Sequence, residues 1–233
     1  MFLDHSALKP LIPHLRAYTS KSLSGIQPDA INDITNPLES FSAKVFERVG
    51  ELENCIESMR IALFYMIDLS KAPGIDINGY IYHYENFIFR LAGILDRSYR
   101  LVGVSMQLDQ RKFERNNGNA VVAKSLQPNH QTILDYLEDI KALTTKTQNL
   151  RNDIAHSSAF SSREVRIVSA TSILQLTCDE ATEIKSLMVH DFINRSKEMA
   201  ELIAESIKGV NALLDGLQPV FDDVCQKLQT KKK

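Results

Sequence analysis

Residues 129–156 read NHQTILDYLEDIKALTTKTQNLRNDIAH. Side chains suited to a core recur along this stretch every three or four residues, a spacing that places them on one face of an α-helix. This face comprises Ile133, Leu137, Ile140, Leu143, Thr147, Leu150 and Ile154. Pro128 comes just before, and Asn129 is a suitable N-cap. The pattern predicts a long helix that begins near Asn129 and carries Arg151 and His156 at its end.

Two further long helices are predicted before this one. Asn36 supplies an N-cap and Pro37 occupies the first helical position, and the helical pattern then continues to Ala72-Pro73-Gly74. The next helix runs from about residue 79 to residue 106. Residues 107–127 are predicted to form a polar connector, because Asn116-Asn117-Gly118-Asn119 favours a turn.

A last long helix is predicted to start at the capping box Thr177-Cys178-Asp179-Glu180. Gly216 and Pro219 are expected to end or kink it, and residues 220–228 would add a short final helix. Residues 165–177 are the one β-like stretch, predicted as a hairpin or an extended return segment. The expected fold is all-α, a bundle of four to five helices.

Residues 1–35 are predicted to be a short irregular N-terminal arm outside the main helical domain at residues 36–233. Prolines interrupt any helix there, at Pro10, Pro13 and Pro28. A short helical arm is expected there, which packs on the core or on a partner.

Composition excludes several classes of protein. The 233-residue chain is 44% hydrophobic, which is enough for a real core and argues against disorder. Its net charge of -2 argues against bulk polyanion binding. The three cysteines include no Cys-x-x-Cys pair, which is typical of reduced thiols in the cytoplasm. Neither a signal peptide nor a membrane-spanning apolar run is recognisable, so no membrane association is expected.

The residues best suited to catalysis lie in the segment Arg151-Asn152-Asp153-Ile154-Ala155-His156. Arginine offers a planar fork of donors that suits phosphate oxygens. Histidine has a reference pKa of about 6.5 and exchanges a proton near neutral pH. On one ideal helix the two would diverge by roughly 140°. Either the helix ends near His156, or the arginine stem bends round, or a second copy of the motif completes the site.

This motif resembles the Arg-x4-6-His signature of the HEPN superfamily, with Asn152 as the polar residue that often follows the arginine. The segment from Tyr84 to Arg90 (YENFIFR), followed by Asp96, also resembles the family. The resemblance covers roughly residues 36–215. It implies a small all-helical domain that acts as a metal-independent ribonuclease, with its site at a homodimer interface. Many relatives are toxins of toxin–antitoxin pairs, which implies a cognate antitoxin protein as a partner.

The resemblance also implies roles for the residues of the motif. Cleavage would use the RNA's own 2′-hydroxyl, so RNA would be the substrate and DNA would resist. His156 would move a proton on the 2′-oxygen or the leaving 5′-oxygen. Arg151 would stabilise charge on the phosphoryl oxygens, and Asn152 would position His156 or the phosphate. No metal and no cofactor are expected, because the arginine supplies the charge stabilisation.

Five further residues are candidates for contacting the substrate. Asn86 and Arg90 belong to the polar stripe of the second predicted helix, from which they would orient the phosphate or His156. Arg111, Lys112 and Arg115 lie in a locally basic stretch, since residues 97–130 hold six Lys or Arg and two acids. With Phe113 nearby, this stretch is a candidate for holding single-stranded RNA by charge and stacking.

Two other functions remain open from the sequence. His156, His190-Asp191 and then Asp215 or Asp222 follow the order of an HD-type metal phosphohydrolase, although no ligand has a tightly spaced partner. The other is a non-catalytic binding or dimerisation module. In that case Arg151 and His156 would only complement the C-terminus of a helix.

Overall fold

The computed structural model describes residues 1–24, 36–72, 74, 76–156, 159–174 and 178–230, with the backbone alone at 24, 171–174 and 178–182. Across these ranges the secondary structure is helical, without a strand. Two short 3-10 helices, Phe2–Asp4 and Ser6–Leu11, come first. The α-helices are α1 (Ile12–Ser24), α2 (Pro37–Lys71), α3 (Ile77–Ser105), α4 (Gln110–Phe113), α5 (Gly118–Leu126), α6 (Gln131–Thr145), α7 (Gln148–His156), α8 (Arg163–Leu174) and α9 (Cys178–Thr230). The prediction of an all-α fold is confirmed.

The helices form two compact units. The first comprises Met1–Asn54, Leu95–Lys141 and Lys208–Lys233, and the second comprises Cys55–Ile94 and Ala142–Ile207. Helices α2, α3 and α9 each contribute residues to both units. The motif that ends at His156 belongs to the second unit.

The N-terminal segment is more regular than the sequence predicted. Pro10 lies inside the second 3-10 helix, and Pro13 lies in the first turn of α1, where a missing N–H costs the helix no hydrogen bond. The segment also buries apolar side chains, namely Phe2, Ala7, Leu8 and Leu11. The expectation of irregular structure is therefore wrong for residues 1–24, whereas the short helical arm expected there is found. Pro28 lies outside the described residues.

The start of α2 is confirmed, and its cap is reciprocal. The side-chain oxygen of Asn36 accepts the Glu39 N–H at 2.9 Å, and the Glu39 carboxylate accepts the Asn36 N–H at 3.3 Å. This pair is a capping box, with Pro37 as the first helical residue. Lys21 donates to both oxygens of the same carboxylate at 2.7 and 2.8 Å, which ties α1 to the start of α2.

The connector at residues 107–127 is mostly helical, contrary to prediction, because it carries α4 and α5. The expected turn is confirmed at Asn117, whose φ of 68° is left-handed. Phe113 is only 3% exposed. A Cβ at Gly103 would lie 2.9 Å from the Phe113 ring, so the ring packs directly on the backbone of α3. Stacking of an RNA base on Phe113 is therefore excluded.

Helix α9 continues through the predicted stop at Gly216 and Pro219 as one helix to Thr230. A Cβ at Gly216 would lie 2.9 Å from Cε2 of Tyr136, so the glycine makes room for this ring. Apolar residues on either side of Pro219 are buried in the first unit, namely Leu217, Val220, Phe221 and Val224. Their burial stabilises the continued helix, and the separate final helix at 220–228 is wrong.

The β-like stretch is also helical where the structure describes it. Val165 and Val168 are three residues apart in α8, and both are buried. A helix places them on one face toward the core, and this packing outweighs the β-propensity of the local sequence. The hairpin prediction is therefore wrong for residues 165–174. Residues 175–177, including the predicted cap Thr177, lie outside the described residues.

In the second unit, His83 stacks on Tyr65 with 4.6 Å between ring centroids and 9° between planes. Burial lowers the pKa of His83 below its usual value, and the carboxylate of Asp76 offsets part of this effect. The unfolded chain therefore binds this proton more readily than the folded chain. It follows that His83 contributes a loss of stability as the pH falls below about 6.5.

We expect His83→Phe, which keeps a ring at this position but removes the titration, to lose less stability than the wild type between pH 7.5 and 5.5. Thermal unfolding of both proteins at the two pH values measures the difference. Because acidic residues titrate alike in both, equal losses would contradict the role of His83.

Candidate active site

The predicted third helix is divided into α6 and α7 by a turn at Lys146 and Thr147, contrary to the single helix expected. Thr147 is buried, and its hydroxyl donates to the Thr144 carbonyl at 3.3 Å. The Arg151 N–H donates to the Thr147 carbonyl at 2.9 Å, which fixes the first turn of α7. The turn contains no glycine or proline, so the sequence carried no local signal for it.

Helix α7 lies at the surface of the second unit. The structure describes all of its residues, and none of them is buried. Leu150, Arg151 and Ile154 are half-buried, and the apolar pair Leu150 and Ile154, four residues apart, lies on one face of the helix. The opposite side of α7 faces solvent.

Arg151 and His156 are both accessible on this helix. Arg151 is half-buried, and His156 is exposed as the last residue of α7. Residues 157–158 lie outside the described residues, so the three arrangements open from the sequence stay predictions. Neither side chain is buried in the core, so a phosphate that approaches from solvent can contact both.

Asn152 contacts the arginine of the motif. Nη1 of Arg151 donates to Oδ1 of Asn152 at 3.1 Å. A guanidinium carries five N–H donors, and this hydrogen bond engages one of them. Asn152 thus orients the guanidinium, whereas the sequence had suggested a contact with His156 or the phosphate.

A comparison with family models gives a match over most of the chain. The family model described as Cthe2314-like HEPN matches residues 32–231. The chain belongs to this HEPN family. No curated protein and no solved structure matches it. HEPN domains include ribonucleases, and they often bind RNA and dimerise.

Two of the predicted substrate contacts lie in the same unit of this HEPN domain as the motif. Asn86 and Arg90 are one turn apart on α3, with Arg90 exposed and Asn86 half-buried. Nε of Arg90 lies 3.4 Å from Oδ1 of Asn86, which is a long hydrogen bond. The pair presents a cation beside an amide.

Arg111, Lys112 and Arg115 are exposed and belong to the first unit. Arg111 and Lys112 lie in α4, whose N-terminus is capped by Asp109. The three cations and the Arg151–His156 motif therefore belong to different units of the HEPN domain.

Glu85, which was not predicted as a site residue, contacts the chain that follows the motif. The carboxylate of Glu85 accepts the backbone N–H of Phe160 at 2.6 Å, and Phe160 follows His156 by four residues. Glu85 lies in the YENFIFR segment that resembled the family, but the two residues are 75 positions apart. The segment was a signal for Glu85, whereas nothing in the sequence indicated its partner.

One residue of the HD-type alternative, Asp191, makes contacts within the protein. The hydroxyl of Tyr80 donates to the carboxylate of Asp191, and Nε of Arg195 lies 3.6 Å from the same carboxylate. These contacts balance the charge of Asp191 without a metal ion. Within the described ranges, no group of three or more His, Cys, Asp and Glu residues is arranged to hold one.

In the part of the chain that the structure describes, no helix combines the length and the apolar character needed to cross a bilayer.

Proposed function

We propose that this HEPN domain is a cytoplasmic, metal-independent endoribonuclease. The observation that carries the proposal is the accessible pair of Arg151 and His156 at the end of a surface helix, with Asn152 holding the guanidinium. Such a pair combines a fixed positive charge with a proton-transfer group, and these are the two functions that cleavage of RNA without a metal requires.

The proposed reaction is an internal transfer at phosphorus. The 2′-oxygen of the RNA loses its proton and bonds to the phosphorus, while the bond to the 5′-oxygen breaks and that oxygen gains a proton. One product ends in a 2′,3′-cyclic phosphate and the other begins with a 5′-hydroxyl. His156 transfers one of these protons. Arg151 stabilises the negative charge that grows on the phosphoryl oxygens.

The matched experiment compares an RNA with the DNA of the same sequence in excess EDTA. We expect the purified protein to cleave the RNA and to leave the DNA intact, because DNA lacks the attacking hydroxyl. Inhibition by EDTA that added metal reverses would contradict this proposal and favour the HD-type alternative. A protein that cleaves neither strand under any condition would be a binding or dimerisation module.

We further propose that the site is completed in a homodimer. The solvent-facing side of α7 carries His156, and a second copy placed against it brings two motifs together around one two-fold axis. Two copies would also supply two histidines for the two proton transfers.

We expect light scattering to give twice the chain mass of 26.3 kDa at the concentration of the cleavage assay. A monomer that retains full activity at that concentration would contradict the shared site. The control is His190→Ala, an exposed histidine on α9, which should leave the measured mass unchanged.

The finer parts of the proposal concern contacts and partners. Asn86 and Arg90 are proposed to bind the RNA backbone, and Arg111, Lys112 and Arg115 to contact phosphates elsewhere on the strand. A toxin role is proposed as well, in which a cognate antitoxin protein covers the exposed helix α7. Suppression of cleavage by the product of a neighbouring reading frame tests that role.

A further inference from the structure

Helix α7 packs through half-buried residues. None of its residues is buried, and all of them are described. Among the described residues, Thr147 before the helix and Phe160 after it are buried. Phe160 is four residues beyond His156, and a chain of four residues spans at most about 14 Å. The location of Phe160 therefore limits where the imidazole can lie.

Phe160 is held by both its backbone and its ring. Its N–H donates to the Glu85 carboxylate at 2.6 Å, a short hydrogen bond to a charged acceptor. Phe160 is 6% exposed, and its ring centroid lies 4.5 Å from that of Tyr84, with 55° between the ring planes. The ring of Tyr80 lies 6.0 Å away. Phe160 thus bonds to and packs against neighbouring turns of α3.

Arg195 of α9 closes this cluster from the other side. Its guanidinium carbon lies 5.2 Å from the Tyr84 ring centroid and 5.7 Å from that of Phe160, within range for cation–π attraction. Its Nη1 donates to the Tyr84 hydroxyl at 3.1 Å. Burial raises the pKa of Tyr80 and of Tyr84, so both hydroxyls stay protonated at neutral pH. The cluster is consequently a fixed support on α3 and α9.

We propose that Glu85 and Phe160 form an anchor that positions His156 for RNA cleavage. The inference rests on the proposed function, because positioning has meaning only if His156 transfers a proton. Glu85 acts through the backbone of Phe160 and not on the substrate, so it is a positioning residue. The anchor requires the oxygen of Glu85 that accepts the Phe160 N–H more than it requires the negative charge.

The test compares Glu85→Ala with Glu85→Gln in the full chain. Alanine removes the acceptor, and we expect kcat to fall about 10- to 100-fold with KM nearly unchanged, as for a misplaced catalytic group. Glutamine keeps an acceptor oxygen and should restore most of kcat. The matched control is Glu57→Ala, an exposed carboxylate that pairs with Arg60 at 3.4 Å, and it should behave like the wild type.

Hydrogen exchange gives a readout that does not depend on activity. In Glu85→Ala we expect amide exchange in residues 148–156 to increase about tenfold or more, while exchange in α6 stays unchanged. Phe160→Leu, which keeps an apolar side chain, should show the same pattern if Glu85→Ala fails to fold.

Unchanged exchange in α7, or an equal increase throughout the chain, would overturn the anchor even if the wild type cleaves RNA. A wild type that cleaves no RNA would remove the proposed function and the positioning role with it. The two failures are therefore told apart by comparing exchange with wild-type cleavage.

Discussion

His156→Ala is expected to lose RNA cleavage by a factor of about 100 to 10,000 in kcat, the range that general acid–base groups supply. Arg151→Ala should lose about 100- to 1,000-fold, as when one preorganised charge-stabilising donor is removed from a site. If the two residues act in the same step, the double variant should be scarcely worse than His156→Ala alone.

These losses should come without loss of fold. Neither side chain is buried, and substitutions at such positions usually change the free energy of unfolding by less than about 0.5 kcal/mol. Arg60→Ala and His190→Ala are matched controls, because they remove an exposed arginine and an exposed histidine from the same unit. Full activity in either motif variant, or equal losses in the controls, would contradict the assignment.

Gly118→Ala is expected to have the largest effect on stability among the glycines described. A Cβ at this buried position would lie 1.9 Å from the carbonyl oxygen of Phe113 and 2.5 Å from its carbonyl carbon. Because these are backbone atoms, no side-chain rotation relieves the overlap, and the contact between α4 and α5 must move. We expect a destabilisation of about 3 kcal/mol, at the upper end of the usual cost of overpacking.

Gly50→Ala is the matched control, with an expected effect of opposite sign. Gly50 lies inside α2, and a Cβ there would meet no atom within 4 Å. The substitution should stabilise the chain by up to about 1 kcal/mol, because alanine has the higher helix propensity. Urea unfolding of both variants measures the difference. A Gly118→Ala midpoint equal to that of the wild type would show that α4 and α5 are not packed as described.

Local signals in the sequence were sufficient for some features of the fold. Asn36 and Pro37 mark the start of α2 because capping depends on residues within one turn. The apolar spacing of α3 is similarly local, and its bounds differ from the prediction by one or two residues. These features depend only on residues that are close in sequence, so a single sequence is enough to predict them.

Features that depend on distant packing were mispredicted. Val165 and Val168 favoured a strand by propensity, but their burial requires the face of a helix. Pro219 is normally a helix breaker, yet buried neighbours hold it within α9. Phe113 lies in a polar stretch and was predicted to be accessible to RNA. Its ring is buried, because Gly103 has no Cβ and leaves room for the ring against α3. Each outcome depends on a contact that the local pattern does not contain.

In the candidate site too, features that depend on nearby residues were predictable and features that depend on distant residues were not. Arg151, Asn152 and His156 were recognisable because they are close in sequence and on one helix. The hydrogen bond of Glu85 to Phe160 joins residues 75 apart, and that of Tyr80 to Asp191 joins residues 111 apart. A single sequence gives no means of pairing residues at such distances. The motif could therefore be recognised from the sequence, whereas these contacts of α3 with Phe160 and with α9 could not.

The chemical nature of the new RNA ends, formed in excess EDTA, tests the central claim most directly. Transfer through the 2′-oxygen predicts a 2′,3′-cyclic phosphate on one fragment and a 5′-hydroxyl on the other. It also predicts that a single 2′-deoxy nucleotide at the cleaved position blocks the cut. Fragments ending in a 3′-hydroxyl and a 5′-phosphate, or cleavage that persists at the deoxy position, would contradict catalysis by Arg151 and His156 as described.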